Sequence, residues 1–138
     1  MPGVVMEISP KRTFNFDGLA ANQNATINIV DRVDVSQWTE GQLMVNVHSE
    51  DIGASATMLV EVYADGYTDE DPSVEFTGAA AIATVTLNSS TVAPSYSTAA
   101  FSAGFGPLVK VRVKGTMPGS VVSLDAALTI RMCMKSGT

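Results

Sequence analysis

Residues 121–134 read VVSLDAALTIRMCM, and apolar side chains recur at every second position of this stretch. The recurring set is Val122, Leu124, Ala126, Leu128, Ile130, Met132 and Met134. Successive side chains of a β-strand point to opposite faces, so this spacing predicts a strand with one face on a hydrophobic core. An amphipathic helix would instead repeat its apolar residues every three to four positions.

Further strand patterns lie upstream of this stretch. They are 26–30 (TINIV), 42–48 (QLMVNVH), 57–64 (TMLVEVYA), 81–87 (AIATVTL) and 108–114 (LVKVRVK). Segments rich in Gly, Pro, Ser and Asn separate them, and only 36–41 (SQWTEG) suggests a short helical turn. Short strands at this spacing predict an all-β fold, a single antiparallel β-sandwich or jelly roll with an N-terminal arm.

The first 25 residues differ from the rest of the chain. They contain PKRTFNFDG at 10–18, two short alternating pieces and no strong core strand. We therefore expect residues 1–25 to form an arm or an edge strand, pairing with the chain's own sheet or reaching a neighbour. Residues 26–138 are expected to form the sandwich domain.

Charge is scarce in this sequence. Of its 138 residues, 46% are apolar and only 16% are charged, with a net charge of −6. Charged residues usually make up about a quarter of a globular protein, and a surface of small neutral residues is common where neighbours cover it. Negative charge argues against a nucleic-acid partner, and no apolar run reaches the roughly 18 residues of a membrane helix. No basic segment precedes an apolar one as in a secretory signal, so we expect synthesis in a cytoplasm.

The sequence 65–73, DGYTDEDPS, concentrates negative charge. Its acids are the weak candidates for a metal site: Asp65, Asp69, Glu70 and Asp71. Calcium favours six to eight oxygen ligands, and Gly66 would let the backbone bend around an ion. The spacing departs from the helix-loop-helix calcium pattern, and the flanks are strands. A solvated loop is the favoured interpretation, with a cation site as its alternative, and no cofactor is expected.

A row of three cations, Lys110, Arg112 and Lys114, lies on one face of the predicted strand 108–114. As interface candidates they would form a docking stripe for an acidic neighbour, with cations about 6–7 Å apart. The alternative is a solvent-facing row that pairs with acids on the adjacent strand and discourages edge pairing. In both interpretations Val111 faces the core.

Other candidate sites have weaker support. Cys133 and His48 are the single cysteine and the single histidine, so no intrachain disulfide can form, and a Cys–His dyad is the one nucleophilic pair available. Neither has a Gly-flanked setting, and we expect Cys133 to be a small buried hydrophobe. Sugar-stacking rings are the remaining candidates: Trp38, Tyr63, Tyr67 and Tyr96. Of these, Trp38 is expected to pack into the core.

Two stretches resemble structural proteins of tailed-bacteriophage virions. They are VDRVDVSQWTEGQLMVNVHSED at 30–51 and LVKVRVKGTMPGSVVSLDAALTIRM at 108–132, and the resemblance covers roughly residues 26–134. In such proteins a sequence similar to DVSQWTE introduces a long strand. A later strand that contains VRVKG is followed by a turn of small residues and then by the last strand. The resemblance implies a β-sandwich or jelly-roll subunit of a capsid, or a decoration protein bound to one. It carries no site residue.

Two functions therefore remain open. The first is a non-enzymatic virion protein made in the host cytoplasm, self-associating as a homo-oligomer, with a trimer favoured, and binding the capsid or another virion protein. The second is a carbohydrate-binding or adhesin-type module in which the acidic loop holds calcium while Tyr67 and Tyr96 contact the ligand. An enzyme is not expected, because the sequence offers no convincing nucleophile or base.

Overall fold

The structure, a computed structural model, describes residues 3–64, 81–102 and 108–136. These residues form eight strands: β1 (Val4–Asn15), β2 (Asn24–Asp34), β3 (Glu40–Ile52), β4 (Thr57–Ala64), β5 (Ala81–Leu87), β6 (Ser95–Ser102), β7 (Leu108–Thr116) and β8 (Leu124–Lys135). No helix occurs among the described residues, and so none there could cross a membrane.

The strands form two four-stranded antiparallel sheets. Sheet A has the order β1-β8-β3-β6, and sheet B has the order β2-β7-β4-β5. The chain pairs from its ends inward, because β1 pairs with β8, β2 with β7, β3 with β6 and β4 with β5. This nested pairing is the double Greek key of a jelly roll. The predicted all-β antiparallel sandwich is confirmed.

The core lies between the sheets and follows the predicted alternation. In sheet B, Val109, Val111 and Val113 are fully buried, while sheet A contributes the alternate residues of β3 and β8. The fully buried residues of these two strands are Leu43, Val45, Leu124, Leu128, Ile130, Met132 and Met134. Burying an apolar side chain of this size stabilises the fold by roughly 1.5–3 kcal/mol.

Residues near the N-terminus belong to sheet A. β1 pairs with β8 from Val4 opposite Met134 to Asn15 opposite Asp125, with register shifts around Ser9. Phe14 is fully buried, and Phe16 is 4% exposed. The Phe16 ring lies against Gly115, where a Cβ atom would be 2.4 Å from the ring. This part of residues 1–25 thus forms an edge strand whose aromatic end packs in the same core as the rest of the chain.

Two segments differ from the sequence-based expectation. Strand β6 covers Ser95–Ser102, where Ser, Thr and Ala give no apolar alternation. Residues 95–100 nevertheless alternate between half-buried and exposed positions. Conversely, residues 121–123 precede β8 instead of opening it, and the Ser123 carbonyl accepts a hydrogen bond from the Gly53 amide at 2.8 Å. The 36–41 turn is a single turn, with the Trp38 amide bonded to the Val35 carbonyl at 3.0 Å.

Candidate functional site

The three predicted interface cations lie on the outer face of β7 but have different surroundings. Opposite them on β4 are Tyr63 for Lys110, Glu61 for Arg112 and Leu59 for Lys114. Lys110 is only 5% exposed, whereas Arg112 and Lys114 are half-buried. The expectation of a solvent-facing row is therefore wrong for Lys110, because its stretch of the outer face is covered. The core-facing position of Val111 is confirmed.

Arg112 takes part in a compact network with two buried neighbours. Its Nε lies 3.2 Å from Glu61 Oε1, and its Nη2 donates to Tyr63 Oη at 2.6 Å. Tyr63 Oη in turn donates to Glu61 Oε2 at 3.0 Å. The guanidinium also lies 4.2 Å from the centre of the Tyr63 ring, within cation–π range. Pairing with an acid on the adjacent strand is thus confirmed for Arg112, which is held within its own subunit.

The electrostatics of this network centre on Tyr63. Burial raises the pKa of Tyr63 above its ordinary value, and the hydrogen bond and negative charge of Glu61 raise it further, while Arg112 opposes the change. The phenol therefore stays protonated and can donate to Glu61. The guanidinium and the phenol together neutralise a buried carboxylate, and the arrangement is structural because both Glu61 oxygens are already bonded within the subunit.

The acidic loop candidates, Asp65, Asp69, Glu70 and Asp71, lie outside the described residues. A different acidic group lies at one end of sheet A: Asp17, Glu50, Asp51 and Asp125. Burial raises the pKa of Asp125, followed by the charge and hydrogen bond of Asp17 and by the charges of Asp51 and Glu50. Asp17 also accepts a hydrogen bond from the Leu124 amide at 2.7 Å. Across the described ranges, no cluster of three or more His, Cys, Asp or Glu side chains is arranged to hold a metal ion.

His48 and Cys133 do not form a dyad. His48 Nε2 lies 2.7 Å from Thr129 Oγ1. Cys133 lies opposite Gln42 on β3 and Val5 on β1. His48 lies six positions after Gln42 on β3, which corresponds to about 20 Å along a strand. A proton could not pass directly between the two side chains at that distance.

The aromatic candidates also separate. Trp38 packs against the core as expected, and Tyr63 is 7% exposed within the Arg112 network. Tyr67 lies outside the described residues. Tyr96 is 55% exposed beside a shallow recess of about 300 Å³. The recess is lined by Asn46, Val47, His48, Pro94, Ser95 and Tyr96.

A larger groove of about 610 Å³ lies at the opposite end of β6. Its lining residues are Glu40, Gly41, Gln42, Ile82, Ala100, Phe101, Cys133 and Lys135. Lys135 Nζ lies 3.3 Å from Glu40 Oε2 at its rim. Gly41 is required there, because a Cβ atom would lie 2.2 Å from the Phe101 ring.

The outer face of sheet A has a middle part that is poor in charge, between Glu40 and Lys135 at one end and Asp51 and Asp125 at the other. One row across all four strands comprises Val5, Cys133, Gln42 and Ala100, and other rows add Met44 with Thr98 and Asn46 with Tyr96. We call this set the neutral face: Val5, Gln42, Met44, Asn46, Tyr96, Thr98, Ala100, Thr129 and Cys133. Arg131 and Glu7 lie opposite each other within it, so their charges offset one another. The sequence pattern of any one strand does not reveal this surface, because its residues come together only when four strands that are distant in the chain lie side by side.

No protein-family model matches the chain, and neither does any curated protein. Its fold is similar to that of a chain from Bacillus endospore appendages, described as disulfide-linked pili, with 12% identity and a TM-score of 0.43 over 99% of this chain and 93% of that one. A chain of infectious bursal disease virus, Gx strain, gives 10% identity and a TM-score of 0.48 over 99% of this chain and 34% of that one.

A third similar structure is the CBM22-1–GH10 modules of Clostridium thermocellum endo-1,4-β-D-xylanase 10B, complexed with xylohexaose. It gives 17% identity and a TM-score of 0.38 over 96% of this chain and 29% of that one. The chain thus spans about a third of the length of the viral and xylanase chains. Identities and TM-scores are low in each case, so none of these similarities indicates an activity, a partner or a site.

Proposed function

We propose that this protein is a non-enzymatic structural protein of a bacteriophage virion, which associates with copies of itself and decorates or stabilises the capsid shell. The observation that carries the proposal is the neutral face. A one-sided antiparallel sheet normally turns polar and charged residues to water. Here the middle outward positions of β3, β6 and β8 present Ala, Thr, Met, Asn, Gln and Cys, with Arg131 as the one charged residue among them, and such a surface suits a contact that is covered in an assembly.

Two further observations support this proposal. Stretches 30–51 and 108–132 resemble structural proteins of phage virions. Of the three cations of the β7 row, Arg112 is bonded to Glu61 and Tyr63 and Lys110 is buried, so the row does not present three cations to a partner. Neutral surfaces associate through shape and burial of small apolar groups, which is the mode of long-lived homo-oligomers. A closed ring such as a trimer would place this face at an interface in every copy.

The test is the solution mass by light scattering after size exclusion, over a range of concentrations and with and without calcium. Wild type is expected to be a homo-oligomer whose mass is the same with and without calcium. Ala100→Glu places an uncompensated charge in the row that contains only Val5, Cys133 and Gln42 besides Ala100, and it should shift the mass toward the monomer without lowering the melting temperature. Thr86→Glu is the matched control, because Thr86 is exposed on β5 in the other sheet.

Binding to the shell is tested separately by co-sedimentation with capsid shells assembled without this protein. We expect wild type to pellet with the shells at a fixed stoichiometry, and Ala100→Glu to pellet less. A wild-type protein that stays monomeric at the highest concentration and does not pellet would refute the proposal.

A second candidate, a carbohydrate-binding module, is favoured by one observation. Tyr96 presents an exposed ring beside a recess that also contains Asn46 and His48, and stacking on a ring with adjacent polar groups is how sugars are commonly bound. Affinity electrophoresis through a panel of soluble polysaccharides tests it. Retardation that disappears in Tyr96→Ala and requires calcium would favour this candidate, whereas equal mobility in every gel would exclude it.

A further inference from the structure

The four edge strands differ in how they resist pairing with another strand. Unpaired backbone groups along an edge invite a further strand, and proteins block them with charges, proline or bulges. β1 has Pro10, Lys11 and two register shifts, and β2 has two register shifts as well. β5 has one shift, because Ile82 is an extra residue opposite the step from Val62 to Tyr63.

β6 has none of these protections. Its sequence, SYSTAAFS, contains no charged residue and no proline. It pairs with β3 over eight consecutive residues, from Ser95 opposite Val47 to Ser102 opposite Glu40, without a register shift. Among the described strands, β3 is its only partner in sheet A. A regular, neutral edge of this length promotes aggregation when it is exposed, so natural proteins rarely keep one. Its presence here indicates that another strand pairs with it.

The backbone of β6 defines what can occupy this edge. In an antiparallel strand, alternate residues direct their N–H and C=O groups to opposite sides. About half of the eight residues therefore turn these groups away from β3, and they need donors and acceptors at strand spacing. Another extended strand meets that need along the whole edge.

We propose that β6 pairs in antiparallel fashion with β6 of a second copy of this chain, across a two-fold axis. The two A sheets then form one continuous eight-stranded sheet, and the neutral face continues across the junction. This inference rests on the proposed self-association and names the contact through which it occurs. A two-fold contact of this kind is compatible with a separate three-fold contact, so it would join trimers edge to edge.

The side chains favour a second copy over an unrelated strand. A two-fold axis perpendicular to the sheet leaves the outer face of both copies on the same side of the joined sheet. Outward-facing residues of one β6 must therefore pair with outward-facing residues of the other. A register centred on Thr98 pairs Thr98 with its equivalent and places the large Tyr96 opposite the small Ala100 in both directions. The fit is thus self-complementary, and Thr–Thr and aromatic cross-strand pairs stabilise such contacts.

Charge also favours a second copy. Each molecule carries a net charge of −6, so two copies repel each other over most approaches. β6 itself is uncharged, and the antiparallel arrangement sends the two Glu40 residues, which lie opposite Ser102 on β3, to opposite ends of the junction. The edge is therefore where two copies can approach with the least repulsion.

The available area is sufficient for a specific contact. Eight residues of strand are about 26 Å long. β5 lies beside β6 in the other sheet, and two packed sheets with their side chains are about 20 Å deep. This side of the sandwich thus offers about 500 Å² per copy, or about 1,000 Å² in total, at the lower limit of specific interfaces.

The decisive test is cysteine crosslinking in a Cys133→Ser background, so that no other thiol is present. Directly opposite residues in an antiparallel pair have Cα atoms about 4.5–5.5 Å apart, within the range of a disulfide. Thr98→Cys should therefore form a covalent dimer under mild oxidation at a rate that far exceeds random collision. Thr84→Cys is the matched control, because it is an exposed threonine on β5, the edge with a bulge.

A second variant tests the contact without crosslinking. Thr98→Lys places like charges opposite each other across the axis, and we expect the two-fold association to weaken roughly tenfold while the melting temperature is retained. Thr84→Lys should leave association unchanged. Slow crosslinking of Thr98→Cys, equal to that of Thr84→Cys, would overturn the inference, as would undiminished association of Thr98→Lys. If wild type still self-associates in that case, the proposed function stands without this contact, whereas a wild type that is monomeric and does not pellet with shells would remove both.

Discussion

Replacing Arg112 with methionine tests whether the basic row on β7 is structural. Methionine keeps much of the aliphatic length but removes the bond from Nε to Glu61, the bond from Nη2 to Tyr63 and the cation–π contact. Bonds to charged groups contribute about 1.5–3 kcal/mol, and neutral ones about 1 kcal/mol. The Glu61 side chain, 8% exposed, would then lack its counter-charge.

The Arg112 side chain is 26% exposed, so water reaches part of the network and the loss is smaller than for a fully buried pair. We expect Arg112→Met to lower the free energy of unfolding by about 3 kcal/mol, a large fraction of the stability of a domain this size. Lys114→Met, two residues along the same face, should change it by less than about 0.5 kcal/mol.

Urea denaturation of Arg112→Met, of Glu61→Leu and of the double variant that combines them gives the coupling energy between the two charges. Because the double variant has no buried carboxylate left unpaired, it should be more stable than Arg112→Met alone, with a coupling energy of at least about 1.5 kcal/mol. Additive single effects, or a loss below about 1 kcal/mol for Arg112→Met, would refute the reasoning. In that case Arg112 would again be a candidate for docking.

Three further predictions concern stability. Val111→Asp should lower the free energy of unfolding by several kcal/mol in a thermal melt, because it places a charge in the core. Lys110→Asp should also lower the melting temperature, because Lys110 is only 5% exposed. A Lys110→Asp variant that melts like wild type would show that the outer face is open at this position. Gly41→Ala should cost about 2 kcal/mol in urea denaturation by forcing the Phe101 ring aside, and full stability would mean that the ring moves freely. Asp125→Asn should be more stable than wild type at neutral pH, with the difference closing toward about pH 4. The folded-state pKa of Asp125 is raised, so its ionisation disfavours folding as pH rises, and a constant difference across this range would contradict that sign.

The strands that carry apolar alternation could be predicted from the sequence. Val109, Val111 and Val113 identify β7, and the alternating apolar residues from Leu124 to Met134 identify β8, because burial of one face demands that period. β6 could not be predicted in the same way. Its outward residues Thr98 and Ala100 and its inward Ser97 and Ala99 have similar polarity, so the alternation of exposure leaves no mark on the sequence. β1 was obscured by Pro10 and the register shifts near it.

The surfaces were less predictable than the fold. The Lys110–Lys114 row was visible in sequence, but the burial of Lys110 depends on what lies over the sheet, which local spacing does not encode. The partner of Arg112 follows from the register of β4 against β7, which places Glu61 directly opposite. The neutral face requires the order of all four strands of sheet A, since Ala100 and Val5 are 95 positions apart in the chain and share one row.

The pairing of the first strand with the last has a consequence for how the chain folds. β1 cannot pair until β8 has left the ribosome, and the remaining nested pairs also close over long separations. Such contacts must overcome a large loop-closure entropy before they stabilise anything, so folding times of milliseconds to seconds are expected. During synthesis, β3 and β6 would be complete while the strand that covers the other side of β3 is still missing. A cell that makes many copies at once would then hold partly folded chains with the unprotected β6 edge available, and premature association would compete with correct folding.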